Sequence, residues 1–328
     1  MTSLFCPRIL VSIAVLSAGV FGGMTPAMAQ KYPQQTIRVV VPSAPGGAID
    51  AFGRGIARRL EQTLGTASIV DNRPGANGAL GAEIVAKAAP DGSMLLVTSG
   101  MHIINPLITR NVPFDPIGDF SSVVWIGNIP LILVIHPSIP ATSVRQLAAL
   151  AKAKPGVLVF ASGGVGSGGH LSGELFKYMT KTDMLHVPYK GNSVALIDVL
   201  GGHVSMMFDT ITTGRQHVQS GKLRVLAVTS AKRSALMPDT LTMSESGLPG
   251  FATNAWYGTL APAKMPHEIV DRLNTEINRA FNDPSFRDQF VAQGVQFVGG
   301  APEQLEKHMR AEVKRWGEVF AATGIKPQ

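Results

Sequence analysis

The sequence predicts an α/β protein made of two successive units, each a parallel sheet covered by helices. From Gln30 onward, short apolar runs alternate with longer amphipathic stretches. The alternation breaks near Val123–Ile135 and then starts again. Each half opens with a strand, a glycine-rich turn and a helix start.

Taken in order, Ile37–Val41 is β-branched and reads as a buried strand, which Pro42–Gly47 cannot continue. A helix follows over Asp50–Leu64, then a strand at Ser68–Asp71 and a helix at Ala79–Ala88. Pro90-Asp91-Gly92 marks a turn before the strand Met94–Thr98. Val123–Ile135 is apolar, but Gly127-Asn128 and Pro130 break it too often for one strand, so it reads as a crossing between two lobes. Ser143 then caps a helix running to Lys154, followed by the strand Val157–Ala161 and a helix over His170–Thr180. Strand Leu185–Val187, helix Ser193–Leu200 and strands Val204–Phe208 and Leu223–Val228 complete the second unit. A second crossing falls near Trp256–Leu260, and Pro262 and Pro266 bound a linker to a helical tail. There Ile269, Val270, Leu273, Ile277, Ala280 and Phe281 form one helical stripe; Leu305, Met309, Val313, Trp316 and Phe320 form another. Both stripes are packing faces.

With 328 residues the chain can bury one large core or two of ordinary size. Apolar content of 45% against 16% charged describes a globular protein. The formal charge of +7 comes from scattered Lys and Arg with no basic run, which argues against nucleic acid as a partner. That surplus suits a small anionic ligand, and surface solubility explains it equally well.

At the N-terminus Arg8 precedes ILVSIAVLSAGVF, an apolar segment too short to span a bilayer comfortably. Ala27-Met28-Ala29 then supplies a small-x-small pattern before Gln30. Residues 1–29 therefore read as a secretory signal peptide cleaved after Ala29, the alternative being an uncleaved anchor. The single cysteine, Cys6, lies before the apolar segment, whereas a lipoprotein cysteine would follow it. Beyond Ala29 no thiol remains for disulfides, catalysis or metal binding.

The glycine loops carry the functional expectation. Gly164, Gly166 and Gly169 spell GxGxxG between a strand and a helix. The dinucleotide reading also needs an acid at the end of the next strand, and that strand ends in Val187-Pro188-Tyr189-Lys190. What remains is the physics such loops share: unshielded backbone N–H groups and the positive end of a helix, which hold an anion without lysine. Ser43, Ser162 and Ser167 add hydroxyls. Two such loops at the carboxyl ends of their strands would face each other across a cleft and suit a carboxylate. The bland alternative is that both are ordinary αβ turns, with Asp50 serving only the helix dipole.

Several motifs in order now carry a resemblance: VVPSAPGGAID, VDNRPGANGALGAE, PDGSMLLVTS, GHLSGELFK, HVPYKG, SGKLRVLAVTS and GLPGFATNAWYGTLAP. From about Tyr32 to Gly324 the chain resembles the Bug family, the extracytoplasmic solute receptors of tripartite tricarboxylate transporters. The resemblance implies a type II periplasmic binding protein fold, two α/β lobes joined by crossing hinge strands. Residues 30–127 with 257–328 would form lobe 1 and 128–256 lobe 2, with the ligand cleft between them. It implies a monomeric periplasmic receptor that binds a small di- or tricarboxylate or aromatic acid and delivers it to an inner-membrane permease, with no catalysis, cofactor or metal. Carried over by residue, Ser43, Ala44, Gly46 and Gly47 would grip one carboxylate, largely through backbone N–H groups. Ser162, Gly164, Gly166, Ser167 and His170 would grip the other side, with Tyr189 and Asp209 lining the cleft. The family's usual first turn, a phenylalanine followed by two prolines, is here Ser43-Ala44-Pro45, and Ile49 stands where threonine is usual. Smaller side chains at 43 and 44 would enlarge the pocket or admit a water.

Other chemistry fits less well. His170, His186 and His203 make no metal-binding pair by spacing. His170 reads equally as a ligand donor or as a packed residue at a helix start. Val165 spoils a GxSxG elbow around Ser167, although a secreted hydrolase using Ser167 and His170 is the alternative from another class. A receptor feeding a signalling system would use the same pocket. Arg73 in DNRPGANG reads as turn chemistry before anion contact, and Lys190 as a solvated rim charge.

Overall fold

The computed structural model describes residues 32–327, so the expected signal peptide, residues 1–29, lies outside the described residues. The first unit begins β1 (Ile37–Val41), α1 (Ala48–Leu64), β2 (Ser68–Asn72), α2 (Ala79–Ala86), β3 (Met94–Ser99), as the alternation predicts. β1 lies between β2 and β3, parallel to both. A helix the sequence reading omits, α3 (Met101–Ile108), follows β3 and carries Pro106 inside it. Its β-branched residues and internal proline disguise the helical period.

β4 corrects an expectation. Phe120–Ile135 is one continuous strand of 16 residues. Its register shifts between Ser122 and Val124 and again between Trp125 and Gly127, so bulges absorb the irregularities that the sequence shows as breaks. Gly127 is required there, because a Cβ would sit 2.5 Å from the Gln296 carbonyl oxygen of the short strand β10 (Gln296–Phe297). Up to Pro130 the strand pairs with β9 (Asn254–Pro262); from Leu131 it pairs with β7 (Met206–Thr210) and β8 (Arg224–Val228). It therefore crosses from one sheet region to the next, as expected. β9 forms the second crossing, tying β4 to β3.

The second unit contains α4 (Val144–Ala153), β5 (Val159–Ser162), α5 (Gly168–Thr180), β6 (Leu185–Pro188) and α6 (Asn192–Leu200). Ser143 caps α4 by accepting from the Gln146 N–H, as its position predicts. β5 runs parallel to β6 and β7. α7 (Ile211–Gln219) was not expected; it follows β7 directly. The tail comprises α8 (His267–Phe281), α9 (Pro284–Val291) and α10 (Pro302–Thr323). Val270, Leu273, Ile277, Ala280 and Phe281 of the first stripe are buried, as are Leu305, Met309, Trp316 and Phe320 of the second. The largest core cluster joins Val40 and Leu96 of the first unit to Phe160 and Phe208 of the second and to Trp316 and Phe320 of α10.

Candidate functional site

The first loop leaves β1 at Val41 and reaches α1 at Ala48, with Gly46 at φ +93° and Gly47 as the N-cap. Asp50, in the first turn of α1, fixes the loop. Its Oδ2 accepts from the Gly46 N–H at 2.9 Å and from Arg54 Nε at 3.0 Å, and its Oδ1 from Asn72 Nδ2 at 2.9 Å. The same Asn72 amide donates to the Ser43 carbonyl at 3.1 Å. Burial pushes the Asp50 carboxyl up, but the hydrogen bonds from Gly46, Arg54 and Asn72 outweigh it and hold the group below the usual range. Ser43 Oγ is buried without a partner and lines a cleft of 840 Å³. Ala44, Gly46 and Gly47 are exposed and stand outside the cleft lining.

The second loop leaves β5 at Ser162. Its hydroxyl donates to the Gly164 carbonyl at 3.0 Å, accepts from the Gly164 N–H at 3.1 Å and meets His186 Nε2 at 2.7 Å. One hydroxyl proton serves one acceptor, so His186 donates from Nε2. Ser167 caps α5 by accepting from the His170 N–H at 3.3 Å. The Gly166 N–H donates to His170 Nδ1 at 3.0 Å, which leaves the other ring proton on Nε2, 4.0 Å from Glu174. His170 and His186 stack at 4.3 Å, behind the loop. Burial, then His186 and Lys177, lower His170 to about 3; burial, then Lys177, lower His186 to about 4. Both rings are neutral at neutral pH.

The structure thus divides the expected site residues. Ser43, Gly164, Ser167 and Tyr189 line the cleft. Gly166 and Ser167 line an adjoining cavity of 220 Å³. Ser162 and His170 lie behind the loop they brace. Asp209 is fully buried, accepting from Thr213 Oγ1 at 2.6 Å and Asn192 Nδ2 at 3.3 Å, and burial raises its pKa. The Tyr189 hydroxyl donates to Asp198, which raises its pKa to about 12.

Sequence reasoning missed the rest of the lining. Gly75, Asn77, Gly78, Ala79 and Ala82 come from the turn into α2, and Thr98 to Phe114 contribute from β3, α3 and the following loop. A signal was present in DNRPGANG. Gly75, Ala76, Asn77 and Gly78 all take positive φ, a run an ordinary turn does not need. Asn105 Nδ2 holds it by donating to the Ala76 carbonyl at 2.8 Å. Arg73 instead pairs with Asp71 at 2.9 Å and is absent from the lining. The starts of α1, α2, α3 and α5 all contribute lining residues, so several positive helix ends converge on one space. Lys190 is the one charged side chain among the described residues lining it. His102, lowered to about 4 by its burial, is neutral.

A fold of two α/β lobes with crossing strands and a cleft set by helix starts is that of a two-lobe solute-binding protein. The chain belongs to the tripartite tricarboxylate transporter family receptors, whose family model matches residues 52–325. It is 35% identical to Protein BugT of Bordetella pertussis over 319 residues, 97% of each chain. Among solved structures, that of Rhodopseudomonas palustris Rpa4515 with adipate is 36% identical at a TM-score of 0.78, covering 90% of this chain and 100% of that one. That of MatC from Rhodopseudomonas palustris with bound malate is 32% identical at a TM-score of 0.73, covering 88% and 99%.

Proposed function

We propose that the protein is an exported periplasmic receptor that captures a small carboxylate between its lobes and hands it to an inner-membrane permease of the tripartite tricarboxylate type. The lobes we assign are residues 30–127 with 257–328, and 128–256, hinged through β4 and β9. The observation that carries the reading is the convergence of helix starts on a cleft containing the buried, unpartnered Ser43 hydroxyl and no acidic side chain among its described lining. The adipate and malate held by two similar receptors support a carboxylate as the ligand class.

The role requires binding and release, not chemistry. Ser167 Oγ accepts from the backbone N–H of His170 and His170 Nδ1 from the Gly166 N–H, so the two side chains are not bonded to one another as a nucleophile–base pair would be. Micromolar affinity corresponds to about 8 kcal/mol. A helix N-terminus supplies only ~0.3–1 kcal/mol, so direct hydrogen bonds and apolar burial must supply most of the binding energy.

The test is thermal unfolding of residues 30–328, refolded to strip carried-over ligand, against mono-, di- and tricarboxylates. A ligand at ~100 times its dissociation constant adds about 2.7 kcal/mol of stability. A clear upward shift with carboxylates supports the reading; a flat panel overturns it. Delivery to a permease is tested by uptake of the bound acid in cells lacking the gene. Unchanged uptake would favour a signalling role for the same pocket.

A further inference from the structure

We propose that the preferred ligand carries a single carboxylate on an apolar body, and that this body seats against α2 and α3. The inference rests on the receptor reading above and narrows it.

One wall of the cleft is hydrocarbon. Ala79 and Ala82 stand one turn apart on α2, Met101 and Ile108 two turns apart on α3, and Phe114 follows. Ala79, Ala82, Ile108 and Phe114 belong to the main core cluster, so the core opens directly into the cleft. The polar side chains of this wall are already engaged with protein. Asn105 donates to the Ala76 carbonyl and accepts from Thr109 Oγ1 at 2.7 Å, and His102 Nε2 donates to the Pro116 carbonyl at 2.8 Å. His102 Nδ1 is left as a buried lone pair without a partner, which opposes a carboxylate at this end. Lys190, the one charged side chain of the described lining, follows β6 and belongs to neither α2 nor α3, so this wall offers a carboxylate no cation.

Size points the same way. The lobes already touch across the cleft: a Cβ on Gly166 would lie 2.6 Å from Met101 Sδ and 3.1 Å from Ile108 Cδ1. With that contact made, 840 Å³ remains, which falls within the ~300–1,000 Å³ range of pockets for drug-sized ligands. A four-carbon dicarboxylate would fill a small part of it. The adjoining 220 Å³ cavity, lined by Ile104, Leu171, Trp256 and Tyr257 among others, adds apolar room and shares Ile49 and Met101 with the cleft.

The experiment is isothermal titration calorimetry on the full mature chain, refolded from denaturant. The probes are a phenyl-substituted monocarboxylate series of increasing chain length, with malate, adipate and citrate alongside. We expect the best phenylalkanoate to bind at least tenfold tighter than adipate, with about fourfold lost per methylene removed. Ala82→Leu should weaken the phenylalkanoate at least tenfold, because the added bulk fills its seat. The chain-length series needs only the wild-type protein, so it decides the matter even if the variant does not fold. If adipate, malate or citrate binds tighter than every phenylalkanoate, the apolar-body inference fails and the receptor reading stands. If neither class binds to protein of native circular dichroism, both fail.

Discussion

Asp50 shows how one buried carboxylate sets up a site without facing it. It ties the Gly46 amide, Arg54 and Asn72 together, and Asn72 carries the constraint to the Ser43 carbonyl. Removing the carboxylate takes one of the two acceptors from the Asn72 amide, the main loss, at about 1–3 kcal/mol, and leaves the exposed Gly46 N–H to water. Asp50→Ala should therefore lower the urea midpoint by an amount equivalent to about 1–3 kcal/mol and weaken carboxylate binding through a loosened first loop. Denaturation and ligand titration of the same sample check both; an unchanged affinity with lowered stability would remove Asp50 from the positioning of Ser43. The sequence places Asp50 in the first turn of a helix, where the dipole is a sufficient reason for an acid. Its bond to Asn72, 22 residues away at the end of β2, has no local signature. The same limit applies to His170. Its place at a helix start is legible, but the direction of its ring depends on Gly166 and on stacking against His186 from a neighbouring strand.

At the scale of elements, the loop between β5 and α5 is held from behind by neutral histidines, and that support depends on pH. His170 and His186 sit at about 3 and about 4, and His102, stacked on Phe114, at about 4, against an ordinary value of 6.5. His170 faces His186, Lys177 and Glu174; His186 faces Lys177; His102 faces Asp115. Below pH 6.5 the unfolded chain takes up protons that these folded histidines refuse, so stability is fully present above about 6.5 and falls as the pH drops toward about 4. Each such group contributes up to about 1.4 kcal/mol per pH unit in that window. Asp209, raised by burial, works in the opposite sense but is a single group. Urea midpoints at pH 7.5 and 5 should therefore differ, with the lower value at pH 5. Equal midpoints would mean the rings are accessible to protons in the folded state. Periodicity made the parallel strands and α1, α5, α8 and α10 legible, because each buries a continuous apolar stripe. It failed for α3, where Pro106 and three isoleucines hide the helical period, and for β4, whose bulges look like breaks when the partner strand is unknown. Nine of the 23 lining residues come from α3 and from α2 with the turn into it, so that failure at the element scale also hid part of the site.

For the whole molecule, the crossing strands β4 and β9 and the helix α10, which packs on β4, carry all three tryptophans of the chain. Trp125 on β4 stacks on His308 of α10 at 4.0 Å, and Trp256 on β9 meets the same ring edge-on at 5.2 Å. Trp316 donates from Nε1 to Glu312 at 2.8 Å, and with Trp256 it lines the cavity beside the cleft. α10 also touches both α3 and α5, so a rotation of one lobe must move it against at least one of them. Ligand binding that closes the lobes should therefore change intrinsic tryptophan emission, saturating at the dissociation constant found by calorimetry. His308→Ala should alter the emission of the unliganded protein, because it removes the ring that contacts two of the three indoles, while leaving the cleft lining intact. Calorimetric binding without any change in emission would show instead that the lobes are already set in their liganded arrangement, with the Gly166–Met101 contact as the closed state. Capture would then require the cleft to open first, and the association rate would report the opening step.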